Sequence, residues 1–125
     1  MIYKVGMFCK HFKGESLLDK NIYRIEKLHV SGDMIDENFI TYSGHGRLKD
    51  AEELVVYSNW FENGKLFARE YSDLCSPIDE AKQLAFGQEL RVEPLNEKEL
   101  LMIQDPDFIS KKTVSCHDNL KTLTK

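Results

Sequence analysis

Short runs in which apolar and polar residues alternate fill the first two-thirds of this 125-residue chain, and their lengths are those of β-strands. Ile2-Tyr3-Lys4-Val5 reads as the start of one strand. The run 22–30 is longer: Ile22, Arg24, Glu26, Leu28 and Val30 fall on one face, and Tyr23, Ile25 and Lys27 on the other. Arg24 therefore shares a face with apolar side chains, an uncommon setting for an arginine. Ser31-Gly32-Asp33 marks a turn, and a short strand at 38–42 closes at Gly44-His45-Gly46. The run 53–61 is the richest in β-branched and aromatic residues and predicts the strongest strand. Asn63-Gly64 fits a two-residue hairpin turn leading into a partner strand at 65–71.

The texture changes after residue 75. Ser76-Pro77-Ile78-Asp79-Glu80 predicts a helix start, with Ser76 as N-cap and Pro77 in the first helical position. That helix should reach Phe86 and end at Gly87. Residues 88–95 suit another strand, and Asn96-Glu97-Lys98-Glu99 is a capping box opening a short helix through Gln104. The last twenty residues suit either an edge strand or an irregular tail. The expected fold class is thus α+β: a small, strongly twisted, barrel-like antiparallel sheet with a C-terminal helical addition. One domain is expected over 1–125, with a β-rich core at 6–75 and an extension at 76–125.

Composition narrows the class. Apolar residues make up 42% and charged residues 30%, the balance of a folded domain and too apolar for disorder. No apolar run approaches a membrane span, and the first residues lack a signal-peptide core, so a cytoplasmic protein is expected. The net charge of −4 argues against duplex DNA as an obligate partner, yet leaves room for a small anion held by a few arginines. Cys9, Cys75 and Cys116 are odd in number and widely spaced, and adjacent Cys116-His117 is poor metal geometry. Reduced thiols are expected, with neither metal nor cofactor.

Several segments could carry chemistry. His11-Phe12-Lys13-Gly14 could hold an anion through Lys13 and His11 with a ring stacked on Phe12; it equally reads as a strand end whose phenylalanine enters the core. Gly44-His45-Gly46-Arg47 lacks the length and lysine of a phosphate loop and reads as a turn. Phe67, Arg69 and Tyr71 alternate onto one strand face, which suits a ligand clamp as well as an arginine packed on rings. Arg91 and Phe86 are further candidates. No nucleophile-elbow, zinc-protease or deaminase signature is present, and a Cys9/His11 pair lacks a third group, so a non-enzyme is expected.

Four ordered blocks resemble a known family. They are the stretch from Gly6 through His11-Phe12-Lys13-Gly14, then Tyr23-Arg24-Ile25, then Glu53-Leu54-Val55-Val56-Tyr57, then Gly64-Lys65-Leu66-Phe67-Ala68-Arg69. The pattern resembles a short bacterial and phage domain of unknown function, G-x-Y-x-H-F-K-G followed by Y-x-V, E-x-L-V-V-Y and G-x-L-W-V-R-P. Phe67 stands at that domain's tryptophan, Glu70 at its final proline, an insertion separates the middle blocks, and residues beyond 76 lie outside it. The full-length chain is similar to phage anti-Thoeris sponge proteins. This resemblance implies a homo-oligomer, dimer or hexamer, in the host cytoplasm that sequesters cyclic ADP-ribose-type signals. It also implies that some relatives hold cyclic di- or trinucleotides. Two other classes remain open: a β-rich module contacting nucleic acid or protein through Phe12, Lys13 and Trp60, and a hydrolase using Cys9 and His11.

Overall fold

The computed structural model describes residues 1–62 and 64–113. Six strands form one sheet: β1 (Phe8–His11), β2 (Ile22–Val30), β3 (Ile40–Tyr42), β4 (Leu54–Asn59), β5 (Leu66–Glu70) and β6 (Val92–Pro94). Their order is β3-β5-β4-β2-β1-β6, and the only parallel pair among them is β3 with β5. Helices α1 (Tyr71–Leu74), α2 (Glu80–Phe86) and α3 (Glu97–Met102) follow β5, and 106–113 are helical again. The fold is α+β with C-terminal helices, as expected. The sheet is mixed rather than wholly antiparallel, and it is open, with β3 and β6 at its edges, so it is barrel-like only loosely.

Alternation along the strands divides the interior. Cys9, Ile25, Val55, Tyr57 and Val92 point to one face, where Tyr3 and Leu74 cover them. Ile22 points to the other face and packs with Leu17, Leu95, Ile103 and Phe108, while Leu54, Val56 and Ala68 meet Val30 and Ala51 there. The central strand β4 is buried throughout, which accounts for its density of β-branched side chains. Strand β2 has the predicted bounds, but its alternation is broken by register shifts between Ile25 and Lys27 and between Lys27 and Val30. Tyr23, Ile25 and Leu28 consequently pack on one core, where unbroken alternation would have put Leu28 on Arg24's face.

Several local expectations change. Ile2-Tyr3-Lys4-Val5 does not form a strand; Tyr3 is a buried plug whose hydroxyl donates to the Val92 carbonyl at 2.7 Å. Helix α2 is capped by Asp79, which accepts from Lys82 N, whereas Ser76 hydrogen-bonds back to Asp73 O and Pro77 bridges to Leu90. Gly87 ends α2 at φ +62, the left-handed conformation expected of a C-terminal glycine. The hairpin joining β4 and β5 is present, but its loop is longer than the expected two residues: Ser58 pairs with Leu66 and Asn59 N donates to Lys65 O, with Gly64 at φ +66; Asn63 lies outside the described residues. The capping box is formed: Asn96 accepts from Glu99 N at 2.8 Å, and Glu99 accepts from Asn96 N at 3.0 Å. The segment 106–113 is helix rather than edge strand, and Cys116-His117 lie outside the described residues.

Candidate functional site

On the face holding Cys9 and Tyr57, the polar ends of several side chains gather above the apolar layer. Alternation places Phe67 and Arg69 of β5 on this face, because Ala68 between them is buried in the opposite core. The chain then turns from strand to helix at Tyr71, and one turn of α1 brings Asp73 back beside Arg69, with Arg69 Nε 2.5 Å from Asp73 Oδ2. Arg91, just before β6, approaches the same carboxylate from the far edge, its Nε 3.8 Å from Oδ1. The three side chains are 23%, 24% and 35% exposed.

Proximity here does not mean satisfied hydrogen bonding. Among the described residues, the buried side-chain polar atoms without a hydrogen bond are Arg69 Nε, Asp73 Oδ2 and Arg91 Nε, all at this one point. The Arg69–Asp73 ion contact is close but poorly aligned, so it supplies Coulomb attraction without directional bonding. Each such atom costs about 1–3 kcal/mol while it lacks a partner. Two of these atoms are guanidinium donors and the third is the carboxylate oxygen in ion contact with one of them.

A row of rings crosses the sheet beneath these groups. Phe86 meets Phe12 at 5.6 Å between centroids, Phe12 meets His11 at 4.7 Å, and His11 meets Tyr23 at 6.3 Å. Tyr23 then meets Tyr57 at 4.7 Å, and Tyr57 stacks on Phe67 at 5.7 Å. Cations flank both ends, Lys82 over Phe12 and Lys65 over Phe67. Buried Lys20 fixes the left end by donating to the carbonyls of Phe12 at 2.8 Å and Phe86 at 3.1 Å and to Gln88 at 3.3 Å. Burial, and then the neighbouring Lys10 charge, lowers the Lys20 pKa.

His11 is pushed down to about 4, first by burial and then by Lys13, Arg91, Arg69 and Lys20. Its Nδ1 accepts from Lys13 N at 3.3 Å, so the neutral ring carries its proton on Nε2. The folded value lies below the ordinary 6.5, so between these limits the unfolded chain binds a proton that the folded chain refuses. Stability contributed by neutral His11 is therefore complete above pH 6.5 and declines as pH falls towards 4. Thermal melts of His11→Gln should show a shallower decline than wild type across this window. Parallel curves would refute the assignment.

The sequence-predicted residues divide between the two faces. His11, Arg69 and Arg91 come together, with Phe12 and Phe86 at the end of the ring row. Phe12 is 4% exposed and so supports the row from within instead of offering a face. Lys13 is exposed beside His11. Tyr71 is not on strand β5 but begins α1, where it packs edge-on to Tyr3 at 5.7 Å, so it does not flank Arg69 as strand spacing predicted. Arg24 is a clear correction: it lies on the opposite face, paired at 2.7 Å with Glu26, which also accepts from Ser58. Its partly apolar face is real, but the charge is neutralised locally and is remote from Arg69.

Asp73, Tyr23 and Tyr57 were not singled out by the sequence. The Arg69/Asp73 spacing of four is a signal only once the strand-to-helix switch at residue 71 is known. Cys9 and His11 do share a face, yet Cys9 is fully buried and its thiol is pushed up to about 12, which removes it as a nucleophile. Among the described residues no cluster of histidine, cysteine and carboxylates could hold a metal, and no helix is long and apolar enough to cross a membrane. One hollow of about 780 Å³ is lined by Glu80, Gln83, Leu84, Gly87, Gln88, Glu89 and Glu93, a rim that repels anions. No protein-family model, curated protein or solved structure matches this chain.

Proposed function

We propose that this protein binds a small anionic nucleotide at the Arg69–Arg91 pair and returns it unchanged. The observation that carries the reading is the convergence of two arginines whose buried Nε atoms lack hydrogen bonds, beside neutral His11 and half-buried Tyr23 and Phe67. Guanidinium groups suit phosphate oxygens, rings suit a base, and neither supplies a nucleophile. The ligand class that fits is a cyclic ADP-ribose-type nucleotide, with cyclic oligonucleotides as the neighbouring class. The biological role proposed is that of a phage-encoded sponge withholding such a signal in the host cytoplasm.

Arg69 and Arg91 sit in a shallow arrangement, each about a quarter to a third exposed. A single copy would therefore leave much of a nucleotide in water, and a homo-oligomer that buries it between subunits fits the reading better. The nucleic-acid alternative is less well supported, because Phe12 is buried and the half-exposed Trp60 lies against Phe8 at 4.9 Å, across the sheet from His11. Equilibrium dialysis against cyclic ADP-ribose, ADP-ribose and a cyclic dinucleotide tests the proposal. Retention of the cyclic ADP-ribose is expected; retention of none of the three would end it.

A further inference from the structure

We infer that Asp73 is a built-in competitor for the ligand's anionic group, a carboxylate that holds the arginine pair until a diphosphate displaces it. The inference deepens the reading of Arg69 and Arg91 as the anion clamp, and rests on it.

The geometry is that of an imperfect substitute. Asp73 contacts Nε of both arginines, at 2.5 Å and 3.8 Å, but neither contact is a hydrogen bond. One short planar carboxylate does not lie in line with two guanidinium groups that arrive from β5 and from the residue before β6. A diphosphate can, because its non-bridging oxygens are more numerous and span a longer distance. The carboxylate is also free to leave. It rides on a single helical turn and is 24% exposed, while the turn itself is anchored separately by buried Leu74. Asp73 is the carboxylate in ion contact with both arginines.

Competition of this kind sets a charge threshold. A ligand carboxylate or a singly charged phosphodiester offers no more than Asp73 already does, whereas a diphosphate brings two charges and more acceptors. The site should therefore select diphosphates over monoanions of similar size.

Inorganic pyrophosphate is the probe. Asp73→Asn should bind it about tenfold or more tightly than wild type, because a negative charge a few ångströms from the bound anion is gone. Glu70→Gln removes an equal charge next to Arg69, from a side chain that hydrogen-bonds Tyr42. It should change affinity by no more than about twofold, since solvent screens it. Equal gains in both variants, or none in a folded Asp73→Asn, would overturn the inference. Wild-type protein gives a reading independent of any variant's folding: the Asp73 carboxyl carbon and Arg69 Nε–H resonances are followed during pyrophosphate titration. Both should shift with the same midpoint. Movement of Arg69 alone would overturn the competitor role while leaving the clamp intact. If neither moves, the clamp itself fails.

Discussion

Arg69→Ala is expected to weaken binding of a diphosphate-bearing nucleotide by about 10- to 100-fold, the loss of a charge-assisted hydrogen bond worth ~1.5–3 kcal/mol. The effect should be this large because the buried Arg69 Nε has only a poorly aligned ion contact to Asp73 and no hydrogen bond. Arg69→Lys should recover only part of the affinity, since an ammonium is a point charge without the planar fork. Arg24→Ala is the internal contrast. Its guanidinium is committed to Glu26 on the far face, so titration calorimetry should return wild-type affinity for that variant. Equal losses at Arg24 and Arg69 would mean that general charge, not the site, holds the anion.

Leu74→Ala should cost about 2–5 kcal/mol of stability, the range for truncating a large buried aliphatic side chain where the cavity cannot collapse. Leu74 is 1% exposed and is the residue through which the one-turn helix α1 enters the core beside Tyr3, Cys9 and Val92. A four-residue helix has almost no stability of its own, so this contact is what places Asp73 opposite Arg69. Urea unfolding checks the magnitude. Leu101→Ala is the comparison: that side chain is 71% exposed on α3 and should change stability by less than about 0.5 kcal/mol. A mild Leu74→Ala would mean that α1 is held by something other than its leucine.

The sequence made some of this fold legible because burial leaves a periodic trace. Strand β2 could be bounded because its predicted run ends at Ile22 and Val30, and β4 stood out because a strand covered on both faces is apolar along most of its length, here Leu54 to Tyr57. The capping box and Gly87 could be read because caps depend on a few residues at fixed offsets. Tyr3 could not. Its segment has strand-like composition, and only contact with residues far along the chain makes it a plug. The parallel pairing of β3 with β5 leaves no local mark either.

Within the site, Arg69 was visible through alternation and Arg91 as an arginine among β-formers, but their convergence was not. It depends on β5 and β6 lying towards opposite edges of the sheet and on a helix starting at Tyr71, neither of which spacing encodes. Arg24 misled for a related reason. Alternation correctly gave its face but could not say that Arg69 points to the other one, nor that Glu26 two residues on would neutralise it.

Binding without turnover can be read from what the protein releases when it is denatured. The protein is incubated with cyclic ADP-ribose isomers, separated from free ligand, heated to denature it, and the released material is identified by mass spectrometry. A cyclic isomer should be retained by wild type, lost by Arg69→Ala and returned with its mass and ring intact. Release of a linear or hydrolysed product, or retention that does not depend on Arg69, would contradict it.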